Sequence, residues 1–278
     1  MSKHGRAERS SLRGGEAFRA YYADLFGDRW PILEAALAGP GDSRAFRAGE
    51  GLEPYYLDSA SIFAASCLEL PREGRMLDAC AAPGGKSLVL ASRLGRETRL
   101  VANEFSADRR RRLRDVLDRH LAPDQRSRVE VSGRDAAAMC RSFEAAFDAI
   151  LVDAPCSSER HLLSQAGSRA GEDGRALAEW SPARVRGLAA RQWALLSSAL
   201  IMLKPGACLV YCTCALGRAE NDAVIERAVA RHGTALRIEG PEYEGPGEAE
   251  VTDFGLAILP DRARGAGPMY VSRIRKLA

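Results

Sequence analysis

The sequence predicts an α/β chain on a mostly parallel, doubly wound sheet, with an antiparallel hairpin closing one edge and a short helical extension in front. Three observations carry this. From Arg75 onward, short β-rich apolar runs alternate with longer helical patterns, the rhythm of βαβ units. Residues 76–87 read as a strand, a turn of small residues and a helix start. Residues 255–274 hold two apolar runs split by a charged, glycine-bearing turn, the pattern of closing antiparallel strands.

Taken in order, residues 1–50 form the extension and residues 51–278 the main domain. The extension mixes basic positions (Lys3, Arg6, Arg9, Arg13, Arg19) with a Gly39-Pro40-Gly41 break that reads as a linker. The expected strands are Met76-Leu77, Leu100-Val101-Ala102, Val129-Glu130-Val131, residues 149–152 and residues 208–211, each followed by polar or glycine-rich residues. Between the last two, a helix is expected over residues 182–203, with Val185, Leu188, Ala189, Trp193 and Leu196 at core-facing spacing. Lys204-Pro205-Gly206 stops it. In such a sheet the loops at strand C-terminal ends are the site candidates.

Composition narrows the function classes. At 278 residues, 46% hydrophobic and 28% charged, the chain is an ordinary globular one, long enough for one main domain. No apolar run spans a bilayer and the N-terminus is polar, so cytoplasm is the default compartment. Arg and Ser enrichment before Tyr21 is a transit-peptide trait, but Glu8 and Glu16 interrupt it and such peptides avoid acids. A net charge of +3 permits nucleic acid without demanding it. Seven cysteines are an odd number, so reduced thiols are expected. Cys212 and Cys214 form a C-x-C pair, yet no further Cys or His cluster completes a tetrahedral set, and no metal is expected.

The turn Cys80-Ala81-Ala82-Pro83-Gly84-Gly85-Lys86 lets backbone amides and a helix N-terminus approach a nucleotide-like ligand. A P-loop reading fits Gly85, Lys86 and Ser87, but its first glycine would fall on Cys80 and Pro83 intrudes. G-x-G-x-x-G is absent, so a nicotinamide site is unsupported. Glu104, ending the second strand, sits where such folds place the acid for ribose hydroxyls; the bland alternative is an exposed strand-end carboxylate. Asp135, after the third strand, has an adenine amine as its candidate partner, though Gly133-Arg134-Asp135 is also ordinary turn chemistry. Together the two acids favour an adenosine-bearing cofactor. Of the run Arg109 to Arg112 with Arg114, most read as a solvated basic face; Arg109 lies nearest the loop.

Two cysteines follow neighbouring strands. Asp153-Ala154-Pro155-Cys156-Ser157-Ser158 ends one and Cys212-Thr213-Cys214 the next. A single buried cysteine is usually a small hydrophobe, but two at adjacent strand ends beside a cofactor loop point to chemistry. A pyrimidine is too electron-poor at C5 to accept a methyl group directly. Thiolate addition at C6 makes C5 an enamine carbon able to attack a methyl sulfonium, and cysteine is nucleophilic enough without a dedicated base. Asp153 beside the ring would hydrogen-bond N3 and the amino group; otherwise it is a cap or salt-bridge partner.

These residues resemble the Sun-family (NSUN) RNA cytosine-5 methyltransferases. The resemblance is carried by Tyr55-Tyr56-Leu57-Asp58, residues 78–87 (DACAAPGGKS), residues 102–106 (ANEFS), residues 153–157 (DAPCS), and residues 211–214 with Glu220-Asn221-Asp222, and it covers most of residues 50–278. It implies a Rossmann-like class I methyltransferase fold, with S-adenosylmethionine held by residues 80–86, Glu104, Arg109, Asp135 and Asp153. It further implies Cys214 as nucleophile, Cys156 as an aid to product release, and Lys86 and Asp153 in the catalytic set. DNA cytosine methyltransferases attack from a Pro-Cys motif, so Cys156 as nucleophile is the runner-up. RNA is the implied substrate, ribosomal RNA ahead of transfer RNA, presenting an unpaired or flipped cytosine.

Departures from the family pattern shape the expectation. The stretch before Tyr55 is short and no appended RNA-binding domain is read after the last strand, which is similar to the compact mitochondrial ribosomal-RNA member. Target choice then falls to a targeting partner or to assembling ribosomal RNA. Cys212 replaces a usual serine, an expected complication for thiol labelling. The competing classes are a non-catalytic RNA-binding or ribosome-assembly protein and a P-loop-type NTPase.

Overall fold

The computed structural model describes residues 13–166 and 177–278; Lys3, Arg6 and Arg9 of the basic extension lie outside these residues. Two helices open the described chain, α1 (Gly14–Phe26) and α2 (Trp30–Ala38). The extension is not helical throughout. Strand β1 (Ser43–Phe46) pairs antiparallel with β2 (Tyr55–Asp58), so residue 50 lies in the connection of a two-stranded ribbon. Nor is the Gly39-Pro40-Gly41 stretch a free linker: Asp42 N–H donates to the Gly265 carbonyl, and a side chain on Gly265 would meet the Pro40 carbonyl at 3.1 Å.

The main sheet has nine strands in the order β5-β4-β3-β6-β7-β11-β10-β9, with β8 also on β11. Five are parallel: β3 (Glu73–Asp78), β4 (Glu97–Asn103), β5 (Val129–Ser132), β6 (Phe147–Asp153) and β7 (Leu203–Thr213). The chain winds outward through β3, β4 and β5, then returns to set β6 beside β3. That reversal makes a switch point, and ligands in open α/β sheets bind at the C-terminal strand ends beside it. The closing hairpin is present, as β11 (Met269–Lys276) runs antiparallel to β7 and to β10 (Leu256–Ile258). β8 (Leu236–Glu239) and β9 (Glu250–Val251) were too short and polar to stand out in the sequence.

Both faces of the sheet are covered, which is why its strands read as continuous apolar runs. Successive residues point to opposite faces. Met76, Leu100, Leu151, Val210 and Cys212 join one buried cluster with Leu88 of the helix Gly85–Ser92. Leu77, Val101, Ile150, Val152, Leu209 and Tyr211 join the other with Leu196 of the helix Pro182–Met202. The buried face of this long helix carries Val185, Gln192, Leu195, Leu196 and Ala199. Trp193, expected in the core, is only partly buried, with the Arg227 guanidinium over its ring at 4.4 Å. A third cluster ties the front helices on through Phe18, Tyr22, Trp30 and Trp180.

Candidate active site

The turn from β3 into the helix Gly85–Ser92 is tied at its start and packed from behind. Ala79 N–H donates to the Leu151 carbonyl at 2.9 Å and Ala81 N–H to the Asn103 carbonyl at 2.8 Å. Gly84 has φ +126, a conformation side chains avoid, and a Cβ there would lie 2.9 Å from Val116. A Cβ on Gly85 would lie 2.7 Å from Leu57. Ala81, Ala82, Gly84 and Gly85 are buried and Pro83 exposed, so these residues shape the turn. Ser87 Oγ donates to Asp78 Oδ2 at 2.6 Å, leaving the buried Oδ1 without a protein partner. Burial raises the Asp78 carboxyl to about 7.

A small pocket of about 40 Å³ lies over the ends of β3, β4 and β6. Cys80, Glu104, Arg109 and Asp135, all expected in the cofactor site, line it together. Arg109 spans the turn: Nη2 donates to the Ala82 carbonyl at 2.8 Å and faces Glu104 Oε2 at 3.4 Å. Glu104 also accepts from Ser106 N–H at 2.9 Å, and Asp135 from Ala137 N–H at 3.1 Å. Phe105, Ala136, Pro155 and Leu195 supply apolar walls that sequence reasoning missed. Asn103 was missed too; its amide donates to Ala79 and Arg134 carbonyls and accepts from Arg134 N–H, fixing the acid-bearing loops. Acidic groups beside an apolar slot fit an adenosine-bearing ligand.

On the other side of the 153–158 loop the two cysteines meet. Cys156 Sγ and Cys214 Sγ stand 2.8 Å apart, both thiols free. Their hydrogen bond lowers the Cys214 thiol more than burial raises it, and a Ser158 hydrogen bond adds to the lowering. The same contact, then burial, drives the Cys156 thiol up. Asp153 Oδ2 accepts from Lys86 Nζ at 2.8 Å, so Asp153 is a salt-bridge partner in this structure. Burial pulls the Lys86 ammonium down, but Asp153, with Cys212 and Cys214 adding, outweighs it and raises the ammonium above its ordinary value. Cys212 is fully buried with its thiol pushed up by burial and then Asp153, which sets it apart from the partly exposed Cys214. Cys214 borders an open pocket of about 390 Å³ with Asp58, Ser158, Arg160, His161 and Pro268.

Buried polar contacts hold both cysteine turns. Thr213 Oγ1 donates to Asn221 Oδ1 at 2.6 Å, and Asn221 Nδ2 donates to the Ala215 carbonyl at 2.8 Å. Glu220 accepts from Ser157 N–H at 3.0 Å and Gln192 Nε2 at 2.8 Å. Glu159, also fully buried, accepts from Ser157 Oγ and Tyr22 OH. Burial, then the Glu220 charge, raises Glu159 to about 7. Among the described residues no cluster of His, Cys, Asp and Glu is arranged to hold a metal, and no helix is long and apolar enough to cross a membrane.

A sequence profile described as "16S rRNA methyltransferase RsmB/F" matches residues 65–275. Ribosomal RNA small subunit methyltransferase F of Klebsiella pneumoniae (strain 342) is 34% identical over 229 residues, 81% of this chain and 45% of that protein. The mitochondrial tRNA (cytosine(34)-C(5))-methyltransferase of Mus musculus is 31% identical over 243 residues, 84% of this chain and 67% of that protein. The chain thus spans under half the length of the first of these relatives. A methyltransferase homologue from Pyrococcus horikoshii superposes with TM-score 0.71 at 22% identity over 100% of both chains, which shows a shared class I methyltransferase fold. The match across most of the domain establishes that this chain belongs to the RsmB/F family of 16S rRNA methyltransferases, within the Sun-family resemblance read from its motifs.

Proposed function

We propose that the protein transfers a methyl group from S-adenosylmethionine to C5 of a cytosine in RNA, with Cys214 bonded to C6 during the reaction. The observation that carries this is the thiol pair, 2.8 Å apart and flanked by the Lys86–Asp153 ion pair at the C-terminal ends of β6 and β7. The adenosine moiety would be held by Cys80, Glu104, Arg109 and Asp135, which share one pocket. When bound, S-adenosylmethionine supplies the electrophilic methyl group that C5 takes once C6 carries the cysteine. The remaining chemistry belongs to the chain.

Cys214 is assigned as the nucleophile because Cys156 Sγ and the Ser158 hydroxyl both lie within reach of its sulfur and can donate to it once it is a thiolate. Cys156 keeps its proton and donates it in a hydrogen bond to that sulfur. When C5 loses its proton to solvent, the C6–S electron pair returns to Cys214, and the same donor stabilises the departing thiolate. Asp153, aligned by Lys86, is placed to hydrogen-bond N3 and the amino group of the cytosine. Cys156 as nucleophile is disfavoured, since Cys214 and not Cys156 lines the open pocket through which a base would reach the pair. Ribosomal RNA is the first candidate substrate, from the family description; transfer RNA follows from the mouse relative. A targeting or ribosome-assembly partner, and the cytoplasm as compartment, complete the reading.

The test incubates purified protein with labelled S-adenosylmethionine and total RNA from a strain lacking the gene. Wild type is expected to form 5-methylcytosine, Cys214→Ala none, and Cys156→Ala a lasting protein–RNA adduct. Full activity in Cys214→Ala with a dead Cys156→Ala would reverse the two roles. No methylation by wild type, together with RNA binding, would favour the non-catalytic assembly reading instead.

A further inference from the structure

Ser158 is a residue for which the sequence offered no role. Its backbone has φ +55, the left-handed region that residues other than glycine seldom adopt. Its hydroxyl lies 3.3 Å from Cys214 Sγ and 3.5 Å from Cys156 Sγ, and borders the open pocket beside Cys214. A hydroxyl carries a single proton and rotates freely to deliver it. Its other neighbour, the Cys156 carbonyl at 3.4 Å, is a long contact. From this backbone position the hydroxyl faces both sulfurs.

From this geometry we infer that Ser158 is a positioning residue whose hydroxyl donates a second hydrogen bond to the Cys214 sulfur, holding it as a thiolate before attack and again as it leaves. The inference rests on Cys214 being the nucleophile. Two donors on one sulfur divide the labour. Cys156 supplies the shorter contact, and Ser158 keeps the thiolate partnered whenever the Cys156 side chain turns away. Once sulfur is bonded to C6 it is a thioether, a weak acceptor, and the hydroxyl is released toward Cys156. The lowering of the Cys214 thiol by Ser158 runs in the same direction as this role.

The test measures alkylation of Cys214 by iodoacetamide against pH in the full chain, with the modified thiol located by peptide mapping. Ser158→Ala removes the hydroxyl; Ser158→Gly removes it while suiting the positive φ, so misfolding cannot imitate its effect. Both are expected to move the Cys214 midpoint upward by about one pH unit, a roughly tenfold loss of reactivity below the midpoint, and to shift the acid limb of methyl transfer equally. Midpoints unchanged in both variants, with wild-type RNA methylation intact, would overturn the hydrogen bond and leave the function standing. A shifted midpoint with no RNA methylation by wild type would support the hydrogen bond and remove the function.

Discussion

At the scale of single residues, the site separates charge by placing each titratable group against a specific neighbour. Lys86 stays cationic although its side chain is only 11% exposed, because Asp153 lies 2.8 Å away. Removing one member of a largely desolvated pair leaves the other without its partner and free to turn. Lys86→Met is therefore expected to lower kcat/KM about 10–100-fold through misorientation of Asp153, with thermal unfolding run alongside to show that the fold survives. The same reasoning sorts the thiols. Cys67 and Cys208 are buried and pushed up to about 12 and about 11 by desolvation, and Cys212 is raised as well. Brief alkylation near neutral pH is expected to modify Cys214 and spare these three, read by peptide mapping; prompt labelling of Cys212 would contradict the burial argument.

At the scale of elements, the strand ends and their loops act as one unit through buried carboxyls. Glu159 opens the helix Glu159–Ala166 and has an ordinary value of 4.5 raised to about 7, while Asp78 closes β3 with 3.8 raised to about 7. The folded chain keeps protons that the unfolded chain gives up, so this contribution to stability is complete below about pH 4 and is lost as pH rises through about 7. Each group accounts for up to roughly 3–4 kcal/mol across that window. The slope of melting temperature between about pH 5 and 8 is expected to flatten in Glu159→Gln, keeping the part due to Asp78; an unchanged slope would mean that Glu159 ionises freely. The sequence made the strands and turns readable, since period-two burial on two covered faces leaves apolar runs ending in Asp78, Glu104, Asp153 and Cys214. It left the support hidden. Tyr22 and Glu159 are 137 residues apart, and neither residue type at either place signals a partner. Leu195 and Asn103 escaped for a related reason: an apolar side chain on a helix and a strand-end amide look structural until the fold sets them around a pocket.

At the scale of the whole molecule, the front helices are fastened to the loops that carry the cysteine pair and the closing hairpin. Phe18 packs on Tyr22, Trp30 and Trp180 with ring centroids 4.7, 5.9 and 5.4 Å away. Tyr22 carries that packing to Glu159, and Arg160 links the Ala36 carbonyl of α2 to the Gly265 carbonyl ahead of β11. On the far side Arg29 pairs with Asp261 at 2.7 Å and 2.9 Å. A helix pair fastened only to itself would melt separately; one fastened to the turn before the helix Pro182–Met202, the cysteine loop and the closing hairpin should not. Phe18 is fully buried, so Phe18→Ala is expected to remove about 3–5 kcal/mol of stability. If the molecule is one unit, urea unfolding of this variant stays a single transition with an unchanged slope and a lower midpoint, and Cys214 alkylation rises along the same curve. An early transition that leaves Cys214 protected would instead make the front helices a separate module, and the Tyr22–Glu159 contact a local detail without reach into the site.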